Sequence, residues 1–257
     1  MQFIDTHAHV YAEELTSDLD LIMKNAVAVG VNKIIMPAID STTLEAMLKV
    51  EQQFPEHCIA MMGLHPCYVK ENYKEELKLV EDWIGKRKFI AIGEIGLDFY
   101  WDKTFTKEQH IVFETQMQWA LDYSLPIVIH TRNAMGETIE AVKPFTKKGL
   151  HGIFHCFSGS KESAEQIIGM GFHLGLGGVL TYKNAGVAAA IKDIPMEWLV
   201  LETDAPYLAP TPFRGKRNES AYVVHTAEKI AEILELPLNE LEEITTHNAM
   251  QVFHPSH

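Results

Sequence analysis

Pro126-Ile127-Val128-Ile129-His130 reads as one short buried strand, opened by a proline, filled by three apolar residues without alternation and closed by a histidine. Helical patterns flank it. One, over about 107–123, buries Phe113, Met117, Ala120 and Leu121, and another lies near 137–145. The same unit recurs in both directions. Upstream are strands at 2–5, running into Thr6-His7-Ala8-His9, at 33–36, at 59–64, running into His65-Pro66, and at 89–93, ending at Glu94. Downstream are strands at 152–154, ending at His155, at 172–176, and at 198–201, ending at Glu202-Thr203-Asp204. Helical spacing separates them: Leu19, Ile22, Met23, Ala26 and Val27 share a face closed by Gly30, and Leu44, Met47 and Leu48 follow a cap at Asp40 or Ser41. Further helices are expected near 75–84, 161–169 and 184–191, with 223–234 and 238–252 finishing the chain. Strands alternating with helices predict parallel βαβ units with right-handed crossovers. At 257 residues the count favours an α/β TIM (β/α)8 barrel over an open doubly wound sheet. No linker, repeat or low-complexity tract interrupts the pattern, so residues 1–257 read as a single domain.

Composition narrows the function classes. Hydrophobic residues make up 47% and charged ones 22%, which excludes disorder, and no apolar run nears the ~18 residues of a membrane span. Three widely spaced cysteines (Cys58, Cys67, Cys156) and no basic-then-apolar opening argue for a cytoplasmic protein without a disulfide framework. A net charge of −13 excludes a broad basic face for nucleic acid, but not a polyanionic substrate where metal ions reverse the local sign. No stable protein partner is evident, and a monomer or weak oligomer is expected.

The thirteen histidines carry the functional signal through their placement. His7 and His9 follow the first strand, Glu94 the fourth, His130 the fifth, His155 the sixth and Asp204 the eighth. In a parallel barrel all these ends open on one face, where active sites form. Alternate side chains of an extended segment point the same way, so His7 and His9 can aim at one ion. Imidazoles mixed with carboxylates suit zinc, manganese, nickel or magnesium-like divalent ions better than calcium. Six ligands exceed one tetrahedral site, so two divalent metal ions sharing a carboxylate are expected. Two carboxylates among neutral imidazoles leave two such ions with excess positive charge, which suits an anionic phosphate. The histidines at 57, 110, 151, 173, 225, 247, 254 and 257 fall elsewhere and are expected to bind no metal.

These segments resemble the TatD family of metal-dependent deoxyribonucleases, within the wider amidohydrolase-like barrels. The motifs are Asp5-Thr6-His7-Ala8-His9, Gly63-Leu64-His65-Pro66, Gly93-Glu94-Ile95-Gly96-Leu97-Asp98, Pro126-Ile127-Val128-Ile129-His130, His155-Cys156-Phe157-Ser158-Gly159 and Glu202-Thr203-Asp204-Ala205-Pro206-Tyr207-Leu208. Arg214-Gly215-Lys216-Arg217-Asn218-Glu219 and Thr245-Thr246-His247-Asn248-Ala249 complete the series in order along the chain. The resemblance implies hydrolysis of DNA phosphodiester bonds, commonly as a 3′→5′ exonuclease on single-stranded or frayed ends.

On this reading His7, His9, Glu94 and Asp204 hold one ion, and Glu94 bridges to a second held by His130 and His155. Asp204 orients water or acts as general base. By resemblance His65 touches the scissile phosphate or shuttles a proton, while Glu202 orients a ligand or water. Arg214, Lys216 and Arg217 would clamp flanking phosphates, and Phe99-Tyr100-Trp101 would either stack on bases or pack the loop over the rim. Arg132 reads equally as structural. The enzymatic alternative is an amidohydrolase acting on small amides, esters or lactones, disfavoured by Glu94 at a position where many of those enzymes carry lysine. A barrel that binds metal or nucleic acid without turnover is the third reading.

Overall fold

Alternation within the strands sorts the apolar side chains into two populations. In the computed structural model, which describes residues 2–253, Phe3, Ile34, Met36, Ile127, Ile129, Phe154, Leu174, Leu199 and Leu201 belong to the large cluster shared with the helices. Their neighbours Ile4, Ile35, Val128, Ile153 and Val200, with Met61 and Ala91, form a smaller cluster inside the ring of strands. Ala249, Val252 and Phe253 of the last helix, Leu238–Phe253, join that inner cluster and plug its lower end.

The strands are β1 (Phe3–Asp5), β2 (Val31–Met36), β3 (Cys58–Ala60), β4 (Ile92–Asp98), β5 (Ile127–Arg132), β6 (Gly152–Phe154), β7 (Phe172–Leu176) and β8 (Leu199–Leu201). All ladders are parallel, in the orders β1-β2-β3 and β4-β5-β6-β7-β8. The two seams carry single parallel bridges instead of ladders, Met62 with Ile92 and Ala8 with Ala205. The fold is thus the expected α/β barrel. Its helices bury one face each, as Leu19, Ile22, Met23 and Ala26 do in the helix Leu19–Ala28. No helix among the described residues is long and apolar enough to cross a membrane.

Three strand assignments shift; β5, expected over 127–129 and closed by His130, runs on to Arg132. The third strand, expected over 59–64, is confined to Cys58–Ala60, with Met62 bridging onward. The fourth, expected over 89–93 with Glu94 at its end, runs from Ile92 to Asp98 instead, so Glu94 lies inside it. The reason is close packing at glycine. At Gly96 (φ 147°) a Cβ would sit 1.9 Å from the His130 carbonyl oxygen, so glycine allows β4 to approach β5 closely and to continue past Glu94. A register shift between Ile92 and Ile95 accompanies this and displaces Glu94 from the regular ladder.

Candidate metal centre

Period-two alternation carries the inner face of the barrel upward into its polar mouth. His130, His155 and Glu202 each lie two residues beyond an inner-cluster residue, Val128, Ile153 and Val200. The β8–β1 seam brings in the first candidate ligands. The Asp204 N–H donates to the His7 carbonyl at 2.8 Å, and the His9 N–H donates to the Ala205 carbonyl at 2.7 Å. Asp204 adopts φ 58°, a left-handed conformation rare outside glycine, which the seam hydrogen bonds hold in place.

Glu94 lies at the centre of the group, and its two oxygens face different neighbours. Oε2 is 3.1 Å from His7 Nε2 and 3.8 Å from His9 Nε2. Oε1 is 2.9 Å from His130 Nδ1, 3.3 Å from His65 Nε2 and 3.8 Å from His155 Nε2. Asp204 Oδ1 approaches His9, His155 and His7 Nε2 at 3.4, 3.7 and 3.8 Å. Two overlapping trios, His7–His9–Glu94 and His7–His155–Asp204, each offer ligand atoms all within 4.8 Å of one another. The six residues expected as ligands are therefore together, most of them buried, at the base of a cavity of about 740 Å³.

Outer partners decide which imidazole nitrogen is free to accept a metal. Tyr11 donates its hydroxyl hydrogen to the Pro37 carbonyl at 2.6 Å, so at 3.0 Å it accepts from His9 Nδ1 and leaves His9 Nε2 with its lone pair. Asp98 Oδ2 takes His130 Nε2–H at 2.8 Å, leaving Nδ1 toward Glu94. Glu202 Oε1, which accepts the Cys156 N–H at 2.6 Å, lies 3.0 Å from His155 Nδ1 and leaves Nε2 facing the cluster. The fully buried His7 makes no in-line hydrogen bond from either ring nitrogen to a described residue. Such an imidazole is costly unless a ligand meets its lone pair, so the residues fit divalent ions. His65 is oriented the other way: its Nδ1 accepts the Cys67 N–H at 3.1 Å, so in the neutral ring Nε2 carries the proton. That makes His65 a donor facing the cluster.

The electrostatics agree. Burial pushes the Glu94 carboxyl up, but His65, His7 and His155 outweigh it and hold it well below the usual carboxylate range. Asp204 is likewise lowered, burial being overcome by the hydrogen bond to His9 and by His155 and His7. Burial pulls His155 down, yet Glu202 and Glu94 raise it to about 10, and His130 is raised against burial by Asp98 and Glu94. Burial lowers His65 despite Glu94, in keeping with a neutral ring. Divalent ions must displace protons from such histidines, so loading weakens as pH falls.

The cationic run lies apart from this cluster. Arg217 is paired with Asp18 Oδ2 at 2.5 Å and donates to the Glu14 carbonyl at 2.9 Å, and Arg214 lies 4.3 Å over the Tyr182 ring. Arg214, Lys216 and Arg217 are all exposed and none lines the 740 Å³ cavity, whereas Arg132 does. Of the remaining histidines, 57, 110, 151, 173, 225 and 247 join no candidate metal group among the described residues, and 254 and 257 lie outside those residues. Sequence reasoning missed Asp98 and Tyr11, whose partners are distant or need a tautomer argument. The available signal for Asp98 was its place four residues beyond Glu94 in one continuous strand.

The family model described as TatD related DNase matches residues 4–254. YabD of Bacillus subtilis, described as an uncharacterized metal-dependent hydrolase, is 38% identical over 250 residues, spanning 97% of this chain and 98% of its own length. YcfH of Escherichia coli K12, described in the same words, is 30% identical over 261 residues, 99% of this chain and 96% of its own. Among solved structures, the TatD homolog YjjV of Escherichia coli K12 superposes with a TM-score of 0.92 at 28% identity, covering 98% of each chain. A TatD family hydrolase from Entamoeba histolytica gives 0.86 at 23% identity, covering 100% of this chain and 99% of its own, and supports the fold. With its histidines and carboxylates gathered at one barrel mouth, the chain belongs to the TatD-related family of metal-dependent hydrolases.

Proposed function

We propose that this protein hydrolyses DNA phosphodiester bonds, acting as a 3′→5′ exonuclease on single-stranded or frayed ends with two divalent ions. The observation that carries the reading is the division of Glu94, with Oε2 toward His7 and His9 and Oε1 toward His130 and His155. His7, His9 and Asp204 would hold one ion and His130 and His155 the other, with Glu94 between them. Bound there, such ions supply the Lewis acidity that polarises a phosphoryl oxygen and brings the pKa of water toward ~7.

The chain's own groups do the rest. Asp204, kept ionised by its histidine neighbours, orients the attacking water and accepts its proton at a carboxylate oxygen. His65 presents Nε2–H to a phosphate oxygen or to the departing 3′ oxygen. Glu202 and Asp98 fix the rings of His155 and His130. Arg214 and Lys216 flank the outgoing strand as exposed cations, while Arg217 is already engaged by Asp18. The unpaired cysteines suit the cytoplasm.

The test is to incubate metal-reconstituted protein with single-stranded DNA labelled at either end and, separately, with a panel of small esters, amides and lactones. Stepwise loss from the 3′ end supports the reading. Turnover of the small molecules without DNA cleavage replaces it with the amidohydrolase alternative.

A further inference from the structure

Beyond β4 the chain turns through Phe99-Tyr100-Trp101-Asp102 on the rim of the metal cavity. Asp98 anchors this turn with the oxygen it does not use on His130: Oδ1 accepts the N–H of Tyr100 at 2.9 Å and of Trp101 at 3.0 Å. Asp102 fixes the far side, accepting Lys70 Nζ at 2.6 Å and the Thr104 N–H at 2.9 Å. The turn is therefore ordered before any ligand arrives. Phe99 packs against the core, its ring 6.0 Å from His110, whereas Tyr100 is 50% and Trp101 66% exposed.

Those two rings meet edge to face at 4.9 Å, and Arg132 lies over both, its guanidinium 4.1 Å from the Tyr100 centroid and 5.0 Å from that of Trp101. Arg217 is taken by Asp18 and Arg87 by Glu51, but Arg132 meets no carboxylate among the described residues of this acidic chain. Trp101 and Arg132 line the same cavity as His130, His155 and Asp204. A cation without a carboxylate, two exposed rings and a fixed backbone thus share one edge of the site.

We propose that Tyr100, Trp101 and Arg132 form a subsite for one unpaired nucleobase and its phosphate, next to the bond being cleaved. The proposal rests on the phosphodiesterase reading and adds the feature that selects unpaired ends. An internal duplex base has both faces covered and a terminal one stays paired and stacked on its neighbour, whereas an unpaired base can swing out and lay either face on Trp101 or Tyr100 while Arg132 meets the anionic backbone. Every base has such a face, so the subsite is indifferent to sequence. Because Asp98 holds both the turn and His130, the stacked base and the metal-facing imidazole keep a fixed separation.

The experiment measures binding apart from turnover, using fluorescence anisotropy with the full zinc-loaded chain. The probes are labelled phosphorothioate-linked tetrathymidylate, which resists cleavage, and a matching oligomer that lacks bases. Trp101→Ala should weaken binding of the first about tenfold, leave binding of the second unchanged, and be rescued by Trp101→Phe. Equal affinity of wild type and Trp101→Ala, an equal loss on the baseless oligomer, or no wild-type binding overturns the subsite. Cleavage of ordinary end-labelled DNA is scored separately. Binding through Trp101 without cleavage keeps the subsite and removes the nuclease reading. Cleavage with Trp101→Ala indistinguishable from wild type does the reverse.

Discussion

The barrel has a cavity at each end, and the two differ in chemistry far more than in size. The lower one, about 860 Å³, is lined by Ile59, Ile84, Phe89, Leu125, Pro126 and Phe253, with Lys86, Arg87 and Lys88 on its lip. The upper one, about 740 Å³, holds His9, Glu94, His130, His155 and Asp204. Below, the charge of Arg87 is taken up by Glu51, whose Oε2 lies 2.6 Å away, and its guanidinium lies 4.5 Å over the Phe89 ring. Above, titratable groups converge from five strands or their ends on one carboxylate. Volume does not mark the working end; the direction of the strands and the convergence of ionisable groups do.

Histidines at the two ends make the contrast sharper. His155, just past the end of β6, is raised to about 10 because Glu202, Glu94 and Asp204 overcome its burial. His173, at the start of β7, is lowered to about 4 because burial acts on it without a carboxylate partner, and only the Glu197 backbone opposes. The same side chain is pushed up at one end of the barrel and down at the other.

The largest expected effect tests the assignment of the ends. Glu94→Ala should lower hydrolysis by about a thousandfold or more and remove tightly bound metal, read by turnover and elemental analysis. Arg87→Ala, at the lower cavity, should leave turnover unchanged and cost at most ~1 kcal/mol of stability. Equal losses in both variants would erase the distinction. Next, Asp98→Asn should weaken metal affinity about tenfold through poorer orientation of His130, measured by competition with a chelating dye. An unchanged affinity would remove Asp98 from the site.

The smallest effect concerns His173. Its folded pKa lies below the unfolded value of 6.5, so the unfolded chain binds the extra proton. The stability associated with its neutral form is full above pH 6.5 and is lost progressively as pH falls toward 4. His173→Gln should therefore flatten the dependence of the unfolding midpoint on pH in that window, relative to wild type. A parallel dependence in both proteins would mean that His173 does not titrate as described.

Much of this architecture was legible along the sequence because the β5 run 127–129 and its counterparts are buried on both faces, which leaves uninterrupted apolar stretches. The gathering of the candidate ligands was legible for a related reason: parallel strands open on one face, so residues at or near their upper ends meet whatever their separation. What escaped depended on contacts that spacing does not encode. That Gly93 and Gly96 let β4 lie close against β5 is visible only once the backbone of β5 is in place. Within the Arg214–Arg217 run, only the three-dimensional placement of Asp18, about two hundred residues earlier, shows that Arg217 is already engaged. The roles of Asp98 and Tyr11 emerge only from tautomers, and those from three-dimensional partners.

The seam between β8 and β1 has a further consequence for how the protein comes into being. Asp5 accepts the Thr203 N–H at 2.9 Å and its hydroxyl at 2.6 Å, and Asn218 Nδ2 donates to the Thr203 carbonyl at 2.7 Å. His7 and His9 are synthesised before the carboxylate they face, Asp204, which follows almost two hundred residues later. A nascent chain halted between them holds only fragments of the candidate ion-binding set, which is whole only once the segment after β8 has been made.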